Sequence, residues 1–411
     1  MLEWMQRLEV NASETSRCAR PRQSKMTPDR CSGVGAPEAP PATTRWVGTV
    51  ISGPGCESRQ LCQRSRTCRL RPAKTFCQPP ACRTELPMAA GTARPRFDRR
   101  RGDRPGRIHW LMSTTYFFDW QKKLEVPGRV TFLDGNGGLP KVEITTAFST
   151  AEIYLQGAHV THFQKKNEQP LLFMSQVSNF QPGQPIRGGI PVIYPWFGSR
   201  DSQVSHGFAR TIGWELWEIT TQPNGSVRLQ FRLPDSPDAA LYPAAAVNYS
   251  VTMGETLICE LTVTNRSESQ PLEFENCLHT YFRVGDIEQV EISGLQGGRF
   301  LDKVDNFATK TQADAVLTIN AETDRIYLDA PESVEIIDRS LRRKIRVDKT
   351  GGLSTVVWNP WIKKSQQLPD FGNEEYRQMI CVESGNVSRN QLSLPPGQSS
   401  ALKVKLISNA L

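Results

Sequence analysis

Histidine is scarce in this chain of 411 residues, with five in all. His109 lies in a basic amino-terminal stretch, so an imidazole acid or base in the rest of the chain must be His159, His162, His206 or His279. Several signatures are missing altogether. There is no G-x-x-x-x-G-K-[ST] loop, no G-x-G-x-x-G opening a helix, no H-E-x-x-H and no G-x-S-x-G elbow, which argues against nucleotide, dinucleotide and zinc-peptidase chemistry. No apolar run is long enough to span a membrane. The first ten residues, MLEWMQRLEV, put charges where the apolar core of a secretory signal belongs. The ten cysteines form no C-x-x-C pair, so a zinc module has little support.

The overall charge of +8 is unevenly placed. Residues 1–111 carry 21 Lys+Arg, 19 of them Arg, against 9 Asp+Glu, a net +12; residues 112–411 carry 29 against 33, a net −4. Nucleic-acid binding by the folded part is therefore not expected. The first stretch also holds seven cysteines and 12 of the 29 prolines. It lacks hydrophobic periodicity, and segments such as Arg94 to Arg107 (RPRFDRRRGDRPGR) bury too little apolar area to offset chain entropy. The expectation is a disordered basic extension over 1–111 and one domain over 112–411. As an organelle transit peptide or an RNA-contacting arm the extension would be unusually acidic; the preferred reading is an extension without a role of its own, upstream of a domain starting near Met112. Cys259, Cys277 and Cys381 sit inside apolar runs and read as buried free thiols of a reducing compartment. A soluble, cytoplasmic monomer is expected, with organelle targeting by the extension left open.

From about Thr131 the hydrophobic period is two. Val227, Leu229, Phe231 and Leu233 alternate with Arg228, Gln230 and Arg232; Leu257, Cys259, Leu261 and Val263 alternate with polar neighbours, as do Leu402, Val404 and Leu406. Turn residues separate such runs at Asp134–Gly138, Asn224-Gly225, Lys349–Gly352 and Pro395–Gly397. Long amphipathic helical patterns are absent. The fold class predicted is all-β, a large antiparallel β-sandwich whose two sheets bury their alternating faces against each other.

Within that frame, alternation puts Cys277, His279 and Tyr281 on one strand face, and Glu383 follows the apolar Met379–Val382, an unusual place for a carboxylate unless it is paired or functional. A lone strand histidine is more often packed than catalytic, and Glu383 could be a strand-end ion pair. Arg187 and Arg210 each adjoin glycine-containing turns, where a guanidinium could grip phosphate or simply be solvated. Tyr194, Trp196, Phe197, Phe208, Trp214, Trp358 and Trp361 could face a sugar ring or fill the core.

Taken in order, Ala151–Val160 (AEIYLQGAHV), Arg187–Pro191 (RGGIP), Pro195–Gly198 (PWFG), His206–Arg210 (HGFAR), Leu278–Arg283 (LHTYFR), Glu322–Arg325 (ETDR), Val357–Pro360 (VWNP) and Cys381–Glu383 (CVE) resemble the aldose 1-epimerase superfamily, in its glucose-6-phosphate 1-epimerase branch. The resemblance covers roughly Pro127 to Ile407. It implies a mutarotase that interconverts the anomers of a hexose 6-phosphate without metal or other cofactor. His279 takes the general-acid position and Glu383 the general-base position, imagined on opposite sides of the ring. Arg187, His206, Arg210 and Asp324 match substrate-binding positions, the arginines near the 6-phosphate. Ser205 replaces the glutamine that the family commonly has before His-Gly-Phe-Ala-Arg, and its reach to substrate is shorter. The neighbouring alternatives are an epimerase of unphosphorylated aldoses, a non-catalytic carbohydrate-binding sandwich, and a glycosidase using Asp324 and Glu383.

Overall fold

The computed structural model describes residues 123–200 and 203–411. The disorder expected over 1–111 and the domain boundary at 112 lie outside the described residues. Every strand pairing is antiparallel within four sheets, as the period-two pattern predicts. The largest has nine strands in the order Val316–Thr318, Val290–Ser293, Ser333–Asp338, Arg343–Thr350, Ser399–Ala410, Leu257–Asn265, Ala245–Met253, Val227–Arg232 and Glu215–Thr221. Its inner face carries the alternating residues picked out above: Val227, Leu229, Phe231, Leu257, Leu261, Val263, Leu402, Val404 and Leu406 are all buried.

An eight-stranded sheet lies on the other side of the same apolar core, which joins Leu229 and Val251 to Val357, Ile380 and Val382. Its order is Ala308–Thr311, Arg299–Asp302, Thr323–Leu328, Ser354–Asn359, Met379–Asn386, Asn276–Leu278 and Val192–Ile193, with Tyr281–Arg283 also paired to Met379–Asn386. The central strand Met379–Asn386 is buried along its whole length. Alternation sends Ile380 and Val382 to one face and Cys381, Glu383 and Gly385 to the other. That is how a carboxylate comes to follow an apolar run: both faces of this strand are covered. A four-stranded meander, Val130–Asp134 to His159–Lys165, and a ribbon of Leu272–Phe274 with Leu392–Leu394 complete the sandwich. No helix among the described residues is long and apolar enough to cross a membrane.

A buried lysine lies within the strand Arg343–Thr350. Lys349 is 3% exposed and donates to the Ser354 carbonyl and Thr355 Oγ1, each at 3.0 Å. Burial pushes its pKa down from 10.5 to about 8, against smaller upward contributions from Cys277 and Glu332. Between pH 8 and 10.5 the unfolded chain therefore binds more protons here than the native one, so stability should rise with pH across that window. The full effect is at most about 3 kcal/mol. Lys349→Met should flatten the rise, as read from urea midpoints at pH 8 and pH 10; an unchanged slope would show that Lys349 is not its source.

Candidate active site

On the outer face of the eight-stranded sheet, a cavity of about 630 Å³ is lined by Arg187, Ser205, His206, Arg210, His279, Asp324 and Glu383, together with Phe197, Glu275, Lys303, Trp358 and Lys364. All seven positions singled out in the sequence thus border one space. His159 and His162 do not. They belong to the four-stranded meander, where His159 is fully buried with Nε2 donating to the Gly188 carbonyl at 2.7 Å. Of the four available imidazoles, only His206 and His279 line the cavity.

At its floor, His279 Nε2 lies 3.3 Å from Glu383 Oε1, with the two side chains 8% and 1% exposed. Side by side is not the arrangement expected, which set them on opposite sides of a sugar ring. The reason it can still suit a hemiacetal is that the ring oxygen and O1 are bonded to the same carbon, so groups serving both must also be neighbours. Burial dominates the electrostatics of both. It holds the His279 imidazole well below its usual range, helped by the neighbouring His206 and then by the charges of Arg210 and Arg187, and pushes the Glu383 carboxyl well above its own, helped by Asp324 and opposed by Lys303. Both directions favour the uncharged forms, and the 3.3 Å contact lets the one proton of the pair pass between them. The His279 ring stacks on Tyr281 at 4.8 Å and meets Trp358 edge-on at 6.2 Å, so its orientation is set by packing.

The two arginines differ in their engagement. Arg187 makes a fork with Asp370, Nη2 to Oδ1 at 3.1 Å and Nε to Oδ2 at 3.2 Å, and donates through Nη1 to the Tyr281 hydroxyl. Burial opposes its charge, but Tyr281 and Asp370 more than compensate and its pKa is raised. Arg210 is 8% exposed and donates through Nη2 to the Ser205 carbonyl at 2.6 Å, while its Nε has no partner among the described residues. Burial lowers its pKa to about 10, which leaves it cationic at neutral pH. Ser205 thus touches the site through its backbone, a contact any residue at that position could make. Asp324 is held by Lys303, Oδ2 to Nζ at 2.7 Å.

His206 adopts φ +66° and Gly207 follows at φ +68°; a Cβ on Gly207 would fall 2.1 Å from the Tyr194 carbonyl oxygen. The tight turn of His-Gly-Phe-Ala-Arg is therefore what carries both His206 and Arg210 to the cavity wall. His206 Nδ1 accepts from the Gly198 N–H at 3.3 Å, which places the hydrogen of the neutral ring on Nε2. Its ring packs edge-on against Phe197 and His279. Of the seven aromatics singled out in the sequence, only Phe197 and Trp358 line the cavity. Tyr194, Trp196, Phe208 and Trp214 are core, and Trp361 packs on Tyr376.

Sequence reasoning missed Lys303, Lys364, Glu275 and Asp370. Glu275 accepts from the backbone N–H groups of Phe197 and Ser388, tying two cavity walls together. No motif marks these residues. A metal would have one donor set here, since Cys381 Sγ and ligand atoms of His279 and Glu383 lie within 4.8 Å of one another. Zinc would draw such atoms to separations of about 3.5 Å and require a thiolate, whereas burial and then the nearby Glu383 charge hold the Cys381 thiol well above its usual range. The trio is better suited to passing a proton than to gripping a metal. A separate open depression of about 750 Å³ beside Asn136, Ser175 and Phe180 contains no imidazole, and its carboxylate, Glu152, is already engaged by Lys141 and Thr161.

The chain is similar to known proteins in both sequence and fold. A Cenchrus ciliaris protein that carries the provisional name glucose-6-phosphate 1-epimerase is 34% identical over 276 residues, spanning 64% of this chain and 82% of that protein. A protein of the same provisional name from Escherichia coli is 35% identical over 243 residues, 59% of this chain and 81% of its own. Among solved structures, a provisionally named mutarotase from Salmonella typhimurium superposes with a TM-score of 0.65 at 28% identity, over 72% of this chain and all of that one. The sequence model of the aldose 1-epimerase family matches residues 140–406, nearly the whole of the described sandwich, and the chain belongs to that family.

Proposed function

We propose that this chain is an isomerase that interconverts the α and β anomers of a hexose 6-phosphate, glucose 6-phosphate foremost. The observation that carries the reading is the His279–Glu383 contact beneath a wall bearing Arg187, Arg210, Lys303 and Lys364. In the proposed reaction Glu383 accepts the O1 proton while His279 gives one to the ring oxygen. The bond between C1 and the ring oxygen breaks, C1 becomes an aldehyde, and rotation about C1–C2 exposes its other face. Both transfers then reverse, so the pair ends with the protons it began with. Acid and base catalysis of this kind contribute roughly 10² to 10⁴-fold each. As written, the reaction needs no cofactor and no covalent nucleophile.

Arg210, with the remaining N–H groups of Arg187, is assigned to the 6-phosphate. Asp324, His206 and the Ser205 turn are assigned to sugar hydroxyls, and Phe197 with Trp358 to the apolar ring faces. The buried free thiols Cys259, Cys277 and Cys381 fit a reducing compartment such as the cytoplasm. The test is a coupled anomerisation assay, with an auxiliary enzyme that consumes one anomer only, run across hexoses with and without phosphate. Glucose 6-phosphate should exceed glucose in kcat/KM by about 10²-fold or more, as a charge-assisted clamp implies. Equal values would overturn the phosphate assignment and leave an epimerase of free aldoses.

A further inference from the structure

We infer that Cys277 is a positioning residue for the base: its thiol holds Glu383 Oε2 so that Oε1 faces the reacting sugar and His279. The inference rests on the proposed role of Glu383. Cys277 Sγ donates to Glu383 Oε2 across 3.6 Å, and no other hydrogen-bond donor reaches this carboxylate among the described residues apart from the His279 contact on Oε1. Strand register makes the contact possible. In the antiparallel pair of Asn276–Leu278 with Met379–Asn386, Cys277 stands opposite Gly385, so Glu383 is its diagonal neighbour on the same face. Diagonal neighbours normally reach each other only with long side chains. Here the residue between them has no side chain: a Cβ on Gly385 would lie 2.8 Å from Cys277 Cβ and 2.4 Å from the Asn276 carbonyl oxygen. The glycine lets the short cysteine lie against the carboxylate.

A thiol suits the task because it is a weak donor. A hydroxyl or backbone N–H would hold the oxygen more tightly, but would stabilise the anion and weaken the base. Packed among Ile193, Leu301, Ile326 and Val356, the thiol makes no other side-chain hydrogen bond among the described residues. Burial and the adjoining Glu383 charge keep it protonated, and hence a donor, at neutral pH. Other charged or titratable groups also face this pair: His279, Asp324, Lys303, Arg210 and Cys381 around the carboxylate, and Lys349 and Glu275 around the thiol. None of these is altered by changing residue 277.

The experiment compares Cys277→Ala and Cys277→Ser with the wild-type chain, using the full pH dependence of kcat/KM for glucose 6-phosphate. Cys277→Ala should lower kcat about 5- to 30-fold with KM within about two-fold, the scale of one lost buried hydrogen bond. Its acid limb should move to higher pH, since the anion loses a donor. Cys277→Ser should recover most of kcat and move the acid limb below that of wild type. Opposite displacements of one limb are a signature that a loss of packing does not produce. In a Glu383→Gln background, Cys277→Ala should change the residual rate less than two-fold. A fully active Glu383→Gln variant would remove the base assignment and this inference together. An inactive Glu383→Gln beside Cys277 variants whose acid limbs stay in place would overturn the inference alone.

Discussion

Glu383→Gln should abolish most of the mutarotase activity, lowering kcat by about 10² to 10⁴-fold with little change in KM, while the folded protein becomes more stable. Both halves follow from burial. The carboxylate is 1% exposed, and burial is the largest influence on its proton affinity. Its charge is therefore a cost to folding, and an amide of equal size relieves it. Glutamine keeps an oxygen to accept a hydrogen bond from His279 but cannot take the O1 proton. Stability and activity moving in opposite directions distinguish a functional charge from a structural ion pair, whose loss would lower the melting temperature. The wild-type profile of kcat/KM should be a bell, because the active pair carries one proton: a second, taken up at low pH, silences the base, and removal of the only one at high pH silences the acid. A Glu383→Gln variant with full activity in the coupled assay, or one that melts well below wild type, would sink the assignment.

The fold was legible because burial on one face of each strand writes itself into alternation, and the runs at Val227–Phe231, Leu257–Val263 and Leu402–Leu406 all lie in one sheet. Glu383 stood out for a related reason. A carboxylate after Met379–Val382 violates the pattern, and such violations mark sites. What could not be read was anything that depends on register or on long-range closure. Cys277 looked like one more buried thiol, since its link to Glu383 needs Gly385, 108 positions away, to lie opposite it. Asp370 and Arg187 are separated by 183 positions and meet because the segment after Pro360 folds back over the cavity. Aromatics misled for the converse reason: a hydrophobic side chain near a motif is equally consistent with core, and five of the seven are not on the cavity wall. The placement of acid and base side by side likewise follows from long-range pairing and from no local feature: His279 sits in the break between Asn276–Leu278 and Tyr281–Arg283, both of which pair with the strand that carries Glu383.

Arg210→Met should separate the phosphate from the sugar in recognition. The guanidinium is 8% exposed, and no carboxylate among the described residues pairs with it, whereas Arg187 is pinned by Asp370. A buried cation without a counter-ion costs the folded state several kcal/mol, and one way such a group is tolerated is that an anion completes it on binding. Two signs should therefore appear at once. For glucose 6-phosphate kcat/KM should fall by about 10² to 10³-fold, corresponding to about 3 to 4 kcal/mol of a buried charge-assisted contact, while the slower reaction of glucose changes less than two-fold. Without ligand, the variant should melt above the wild type. Added inorganic phosphate should reverse that order: wild type gains about 2.7 kcal/mol when phosphate reaches 100 times its dissociation constant, and Arg210→Met gains almost nothing. Equal loss of rate on both sugars would make Arg210 a general structural support of the His206 turn. Phosphate-dependent stabilisation that survives the substitution would move the anion site to the remaining cations, Lys303 and Lys364 on the same wall.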